Sequence, residues 1–245
     1  MTQKKIIGII PARFASTRFP GKPLTMIGNM SMIERVYKQA LKSKKLDHVV
    51  VATDDDRIRD HVQSFNGNVV MTATDHKSGT DRCAEVIKKE KEKWDIVINI
   101  QGDEPFIDPD QIDVLISCFD DELTEIATLI KRINNEDDLA NPNVVKVVIN
   151  KFADALYFSR SKIPYQQNAN AGFQNIYFKH IGIYGYFSST LEEISLLKQT
   201  RLEQAESLEQ LRWIENGYLI KTAVCEHESI SIDTPEDLEK VKHLL

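Results

Sequence analysis

Three cations and no acid occupy the stretch Ile9-Ile10-Pro11-Ala12-Arg13-Phe14-Ala15-Ser16-Thr17-Arg18-Phe19-Pro20-Gly21-Lys22-Pro23-Leu24. The chain as a whole is acidic, with 31 Lys and Arg against 37 Asp and Glu and a formal net charge of -6. Arg13, Arg18 and Lys22 are therefore a local departure. Such a loop suits a polyanion such as a nucleotide triphosphate, held by cations and by backbone amides. Ser16, Thr17 and the amides around Gly21 add neutral donors. A solvated charged loop is the competing reading. The loop is not a Walker A motif, because Pro23 follows Gly21-Lys22 and Ser16 stands where the upstream glycine belongs.

A second group follows an apolar run at Asn99-Ile100-Gln101-Gly102-Asp103-Glu104-Pro105. Open α/β sheets bind ligands at the carboxyl ends of their strands. A carboxylate there, Asp103, is placed to hold Mg²⁺, which takes one or two carboxylates together with phosphate oxygens and water. The competing reading is a turn acid, since Gly-Asp is good turn chemistry. Asp233 is a third candidate, just before Thr234-Pro235-Glu236-Asp237. It is either a second carboxylate on the same metal or helix-terminus electrostatics. The polar loop from Ala73 to Arg82 suits hydrogen bonding to a base or sugar. His180, Tyr184 and Tyr186 alternate along a strand-like run, and either line a pocket or pack as aromatics. No HExxH or GxSxG is present, so nothing argues for covalent catalysis.

These groups need elements to carry them. Strands are expected at Lys5–Ile10, Val49–Ala52, Val69–Met71 and Ile96–Ile100, the first ending at Pro11. Between them the spacing predicts helices from Met32 to Leu41, with Ser31 as cap, from Asp56 to Phe65, and from Asp81 to Lys93. Continuous apolar strands of this kind suit a parallel sheet covered on both faces. Further strands are expected at Val144–Ile149 and Ile181–Phe187, and a helix at Ala205–Glu215. Residues 166–176 read as a polar, Asn-rich loop. Thr234 as cap and Pro235 at the first helical position start a last helix. No repeat or linker breaks the chain, so one domain over 1–245 is expected.

Composition excludes several classes. The longest apolar runs are strand-sized, so no membrane insertion is expected. Without a signal-peptide pattern the expected location is the cytoplasm. The acidic balance argues against nucleic-acid binding. Cys83, Cys118 and Cys225 form no disulfide framework.

The first loop, Val51-Ala52-Thr53-Asp54, Asp75 to Arg82, Asn99 to Pro105 and Asn141 to Val148 together resemble the 3-deoxy-manno-octulosonate cytidylyltransferase (CMP-Kdo synthetase) family. So do Ala155 to Arg160, His180 to Tyr186, Leu208 to Arg212 and Asp233 to Leu238, in the same order over nearly the whole chain. The resemblance implies a Rossmann-like nucleotide-diphospho-sugar transferase fold, α/β, with a mostly parallel central sheet and helices on both faces. It implies a homodimer that uses Mg²⁺ to join CTP and Kdo into CMP-Kdo and diphosphate, for lipopolysaccharide assembly. By that resemblance Arg13 and Lys22 hold the triphosphate, with Pro11, Ala12, Ser16 and Arg18 nearby, and Asp103 and Asp233 hold Mg²⁺. Gln101, Ser78 and Arg82 face the nucleoside, and Arg160, His180, Tyr184, Glu209 and Gln210 line the sugar-acid pocket. The chain departs from familiar members at Asp81, where many carry Glu, and around 165–176. A cytidylyltransferase acting on an N-acylneuraminate or an amino-substituted Kdo is the nearest alternative. A non-catalytic nucleotide-sensing module on the same fold is another.

Overall fold

The structure, a computed structural model, describes residues 4–15, 19–167, 177–227 and 230–241. In chain order the elements are β1 (Ile6–Ala12), β2 (Met26–Ile27), β3 (Met30–Ser31), α1 (Met32–Ala40), β4 (His48–Thr53), α2 (Asp56–Ser64), β5 (Val69–Met71), α3 (Gly79–Lys89) and β6 (Ile96–Asn99). They continue with α4 (Pro109–Ser117), β7 (Ile126–Arg132), α5 (Glu136–Ala140), β8 (Lys146–Ile149), β9 (Ala155–Ser159) and β10 (Phe178–Phe187). The remainder are α6 (Ser188–Ser195), α7 (Arg201–Glu206), α8 (Gln210–Glu215), β11 (Ile220–Val224) and α9 (Pro235–Lys240). By contacts the chain sorts into two compact units. Unit 1 holds residues 1–113, 185–195 and 227–245, and unit 2 holds 114–184 and 196–226. Among the described residues no helix is long and apolar enough to cross a membrane.

Unit 1 is built on four parallel strands in the order β6, β1, β4, β5. Ile7, Ile9, Ile10, Val50, Val51, Val97 and Ile98 are buried on both faces of these strands, as covered parallel ladders require. The helices between them bury one stripe each, for example Met32, Ile33, Val36, Tyr37 and Ala40 of α1. Ser31 caps α1 by accepting from the Glu34 amide, as expected. β1 runs through Pro11 to Ala12 instead of ending before it. Past Ile9 the strand pairs only with β4, and at such an edge a missing amide is tolerated. α3 starts two residues earlier than expected, because Ser78 and Asp81 form a reciprocal capping box. It ends at Lys89 rather than Lys93, where Glu90 turns extended.

Unit 2 pairs β7 in parallel with β11 and sets β8 antiparallel to both β9 and β10. β7 and α4 are not among the expected elements, although Asp108 caps α4 by accepting from the Asp110 amide at 2.9 Å and Pro109 opens it. One expectation fails here. The helix expected at 205–215 is two helices, since Ser207 adopts φ 52°, a left-handed conformation that ends α7. Phe158 is fully buried within unit 2. Each unit carries a buried thiol, Cys83 in unit 1 and Cys225 in unit 2, while Cys118 is half-buried.

Candidate active site

The cations of the first loop are held by a tight local fold. The Gly21 amide donates to the Phe14 carbonyl at 3.0 Å, which closes the loop. Gly21 sits at φ 72°, and a Cβ there would meet the Phe14 ring at 3.1 Å, so only glycine fits. A single 3-10 turn over Lys22–Leu24 follows, with Pro23 buried. That turn aims the Lys22 ammonium at two carboxylates. Its Nζ lies 2.7 Å from Asp103 Oδ2 and 3.2 Å from Asp233 Oδ1. Sequence spacing gave no sign that these acids, 130 positions apart, share one cation.

Backbone ties explain the meeting. The Ile100 amide donates to the Ile9 carbonyl at 2.9 Å, so the loop after β6 leaves beside the end of β1. A Cβ on Gly102 would stand 2.8 Å from the Pro11 carbonyl oxygen, a distance that real Cβ atoms essentially never adopt. The Ile232 amide donates to the Asp103 carbonyl at 2.9 Å, which brings Asp233 alongside. α9 is then held by Thr234 and Asp237, which form the expected cap, and by Ile232 and Val241 packed with Ile27 and Met32.

These residues border a cleft of about 240 Å³ in unit 1. Pro11, Ala12, Arg13 and Lys22 line one side, Ser78, Gly79 and Arg82 another, and Gln101, Asp103 and Asp233 the floor beside Lys22. Every described residue expected to bind nucleotide or metal is thus in one place. Ser16 and Arg18 lie outside the described residues. Arg13 is exposed. Ser78 and Gly79 present the N-terminus of α3, an anion site by virtue of its amides and dipole. Asp81 does the capping work that a Glu would do, so that departure leaves the helix start intact. Arg82 is buried and turned to the protein: its guanidinium hydrogen-bonds Thr72 and lies 3.4 Å from Asp54 Oδ1. It stiffens the cleft wall more than it reaches outward.

The loop from Ala73 to Ser78 is pinned by Glu85 of α3, which accepts from the Ala73 amide at 2.8 Å and contacts His76 and Lys89. Burial alone would raise the Glu85 carboxyl, but bonds from Lys89, the Ala73 amide and His76 outweigh it and bring it to about 2. Glu85 and Asp54 gave no signal in the sequence, because each acts through another residue.

The expected sugar-acid residues lie in unit 2. His180 and Tyr184 share a face of β10, with ring centroids 5.2 Å apart, and Tyr184 stands edge-on to Trp213 at 5.0 Å. Burial raises the Tyr184 hydroxyl well above its ordinary value, and the Glu209 charge adds to it. Burial also pushes His180 down to about 3, so it is neutral at pH 7. Gln210 is buried at the start of α8. Arg160 is committed elsewhere: its Nε donates to the Glu206 carbonyl at 2.7 Å and its Nη1 to the Pro142 carbonyl at 3.1 Å. It fastens the turn that precedes Glu209. Tyr184 thus has His180 beside it and feels the Glu209 charge, while Arg160 holds the backbone at Glu206 and Pro142. The loop at 166–176 lies almost wholly outside the described residues.

Known proteins show which family the chain belongs to. A family model for cytidylyltransferases matches residues 7–243. A 3-deoxy-manno-octulosonate cytidylyltransferase of Parabacteroides distasonis is 54% identical over 243 residues, 96% of each chain. One from Bacteroides thetaiotaomicron is 53% identical, covering 98% of each. A solved structure of CMP:2-keto-3-deoxy-manno-octonic acid synthetase complexed with CTP superposes with a TM-score of 0.92 at 46% identity, covering 98% of both chains. The Rossmann-like α/β fold expected from the sequence is thereby established, and the chain belongs to the cytidylyltransferase family, grouped with the 3-deoxy-manno-octulosonate cytidylyltransferases.

Proposed function

We propose that the protein transfers CMP from CTP to the anomeric 2-hydroxyl of 3-deoxy-D-manno-octulosonate, giving CMP-Kdo and diphosphate for lipopolysaccharide assembly. The observation that carries this is the convergence of Lys22, Asp103 and Asp233 beside the α3 N-terminus in one cleft. In this reading the sugar hydroxyl attacks the α-phosphorus in line and diphosphate leaves. Arg13, Lys22 and the Gly79 amide at the start of α3 neutralise the charge that spreads over the phosphates. Gln101 faces the nucleoside. Of the unit 2 residues, His180, Tyr184, Glu209 and Gln210 orient the sugar acid, and Arg160 braces the turn behind Glu209. Positioning supplies most of the rate.

The same cleft fits Mg²⁺. Asp103 and Asp233 are hard oxygen donors that already place their charge around one cation, the Lys22 ammonium. Both would hold the metal, which when bound would add charge neutralisation at the phosphates. A single nucleotidyltransferase domain, a homodimer and a cytoplasmic location complete the proposal.

The test is diphosphate release from CTP with Mg²⁺, in the presence of Kdo, N-acetylneuraminate or no sugar. Release with Kdo alone is expected. Release with neuraminate alone would keep the chemistry and overturn the specificity. CTP binding without release would favour a sensing module.

A further inference from the structure

Thr128 stands in the middle of β7 and is wholly buried. Its hydroxyl meets the Ile183 carbonyl at 2.7 Å, the Ile181 carbonyl at 3.2 Å and His180 Nε2 at 3.0 Å, and it also hydrogen-bonds the Tyr184 side chain, which, unlike a carbonyl, can donate. A threonine hydroxyl owns one proton and two lone pairs, and a carbonyl can only accept. The proton must therefore go to the backbone, with Ile183 the closer acceptor. Only lone pairs remain for His180, so Nε2 must carry the hydrogen of that contact. In a neutral imidazole with hydrogen on Nε2, Nδ1 is an acceptor. The ring has little freedom to turn, because Phe158 packs edge-on at 5.1 Å and Tyr184 lies at 5.2 Å. His180 itself is half-buried, while Thr128 has no surface at all.

We propose that Thr128 is a positioning residue for sugar recognition: it locks His180 in the Nε2–H form, so that Nδ1 accepts a hydrogen bond from a hydroxyl of the sugar acid. This rests on the reading above that His180 faces the sugar acid. The lock also decides which part of the sugar His180 meets. A cationic imidazole would seek the carboxylate, whereas a neutral acceptor repels a carboxylate oxygen and suits a hydroxyl donor.

The test uses the full-length chain with ¹⁵N-labelled histidine, without substrates, and identifies the His180 ring signals by their loss in His180→Gln. Wild type and Thr128→Ser should show hydrogen on Nε2 only. Thr128→Val should show a mixture of the two tautomers. Thr128→Val should also raise KM for Kdo about tenfold, the size of one lost hydrogen bond, with KM for CTP unchanged and Thr128→Ser close to wild type. Hydrogen on Nδ1 in the wild type would overturn the proposal whatever the variants do. So would Thr128→Val with an unaltered tautomer or an unaltered KM for Kdo. If His180→Gln leaves KM for Kdo unchanged, it is the sugar-facing reading that fails, and the proposal falls with it even though the lock is real.

Discussion

The two units treat charge in opposite ways. In unit 1 ionic groups are left at the ends of strands and at a helix start, bordering a cleft: Arg13 is exposed, and Lys22 meets Asp103 and Asp233 where all three line the cavity. In unit 2 the charges near the expected sugar residues are consumed within the protein. Arg160 donates to backbone carbonyls, and Arg212 and Glu203 form a buried pair at 2.6 Å. Lys146 is fully buried, with its amine on the Asn141 carbonyl at 2.8 Å. In the proposed reading, what is left there for the sugar acid is, apart from Glu209, neutral and directional. A triphosphate is recognised by how much charge surrounds it, and a sugar by where single donors and acceptors point.

The largest test of this contrast is in unit 1. Asp103→Asn and Asp233→Asn should each lower diphosphate release more than about hundredfold, because each removes a proposed ligand of the ion that would neutralise the phosphates, with circular dichroism unchanged. Near-normal turnover in either at limiting Mg²⁺ removes that residue from the site. Next comes Lys22→Ala, expected to lower kcat/KM for CTP about hundredfold; unchanged CTP kinetics would return Lys22 to the solvated-loop reading. In unit 2 the equivalent damage should appear in stability rather than rate. Glu203→Ala removes the close partner of the buried Arg212 and leaves it only Glu209 at 3.9 Å, and should cost about 3 kcal/mol in urea unfolding, with KM for CTP near the wild-type value.

The smallest expected effect is on pH. His180 ionises near 3 in the fold, against 6.5 as its ordinary value. Between those values the unfolded chain binds more protons, so stability rises with pH and is lost as pH falls from 6.5 toward 3. For a half-buried ring the loss at pH 5 should be about 1 kcal/mol. His180→Gln should flatten that slope, and an unchanged slope would mean that the ring is already charged in the fold.

The parts of the fold legible in the sequence were those with local signals. Ser31, Thr234 and Pro235 announced their helices because capping chemistry is local, and the apolar runs of β1, β4 and β6 announced a covered parallel sheet. The split at Ser207 was not legible, since nothing in a serine marks a left-handed backbone. The site was legible as residue types but not as contacts. Asp103 and Asp233 meet through the Ile232 amide, a tie made by tertiary packing alone. The resemblance implied that Arg82 and Arg160 face ligands; that they also bond Thr72 and the Glu206 carbonyl depends on depth and register that a one-dimensional pattern does not carry.

Cys83 and Cys225 give each unit an internal clock. A thiol out of water is invisible to alkylating reagents until its surroundings open. Timed pulses of a mass-tagged alkylator, read peptide by peptide, would thus record separately when unit 1, which bears the cleft, and unit 2 first breathe, and whether CTP slows one of them alone.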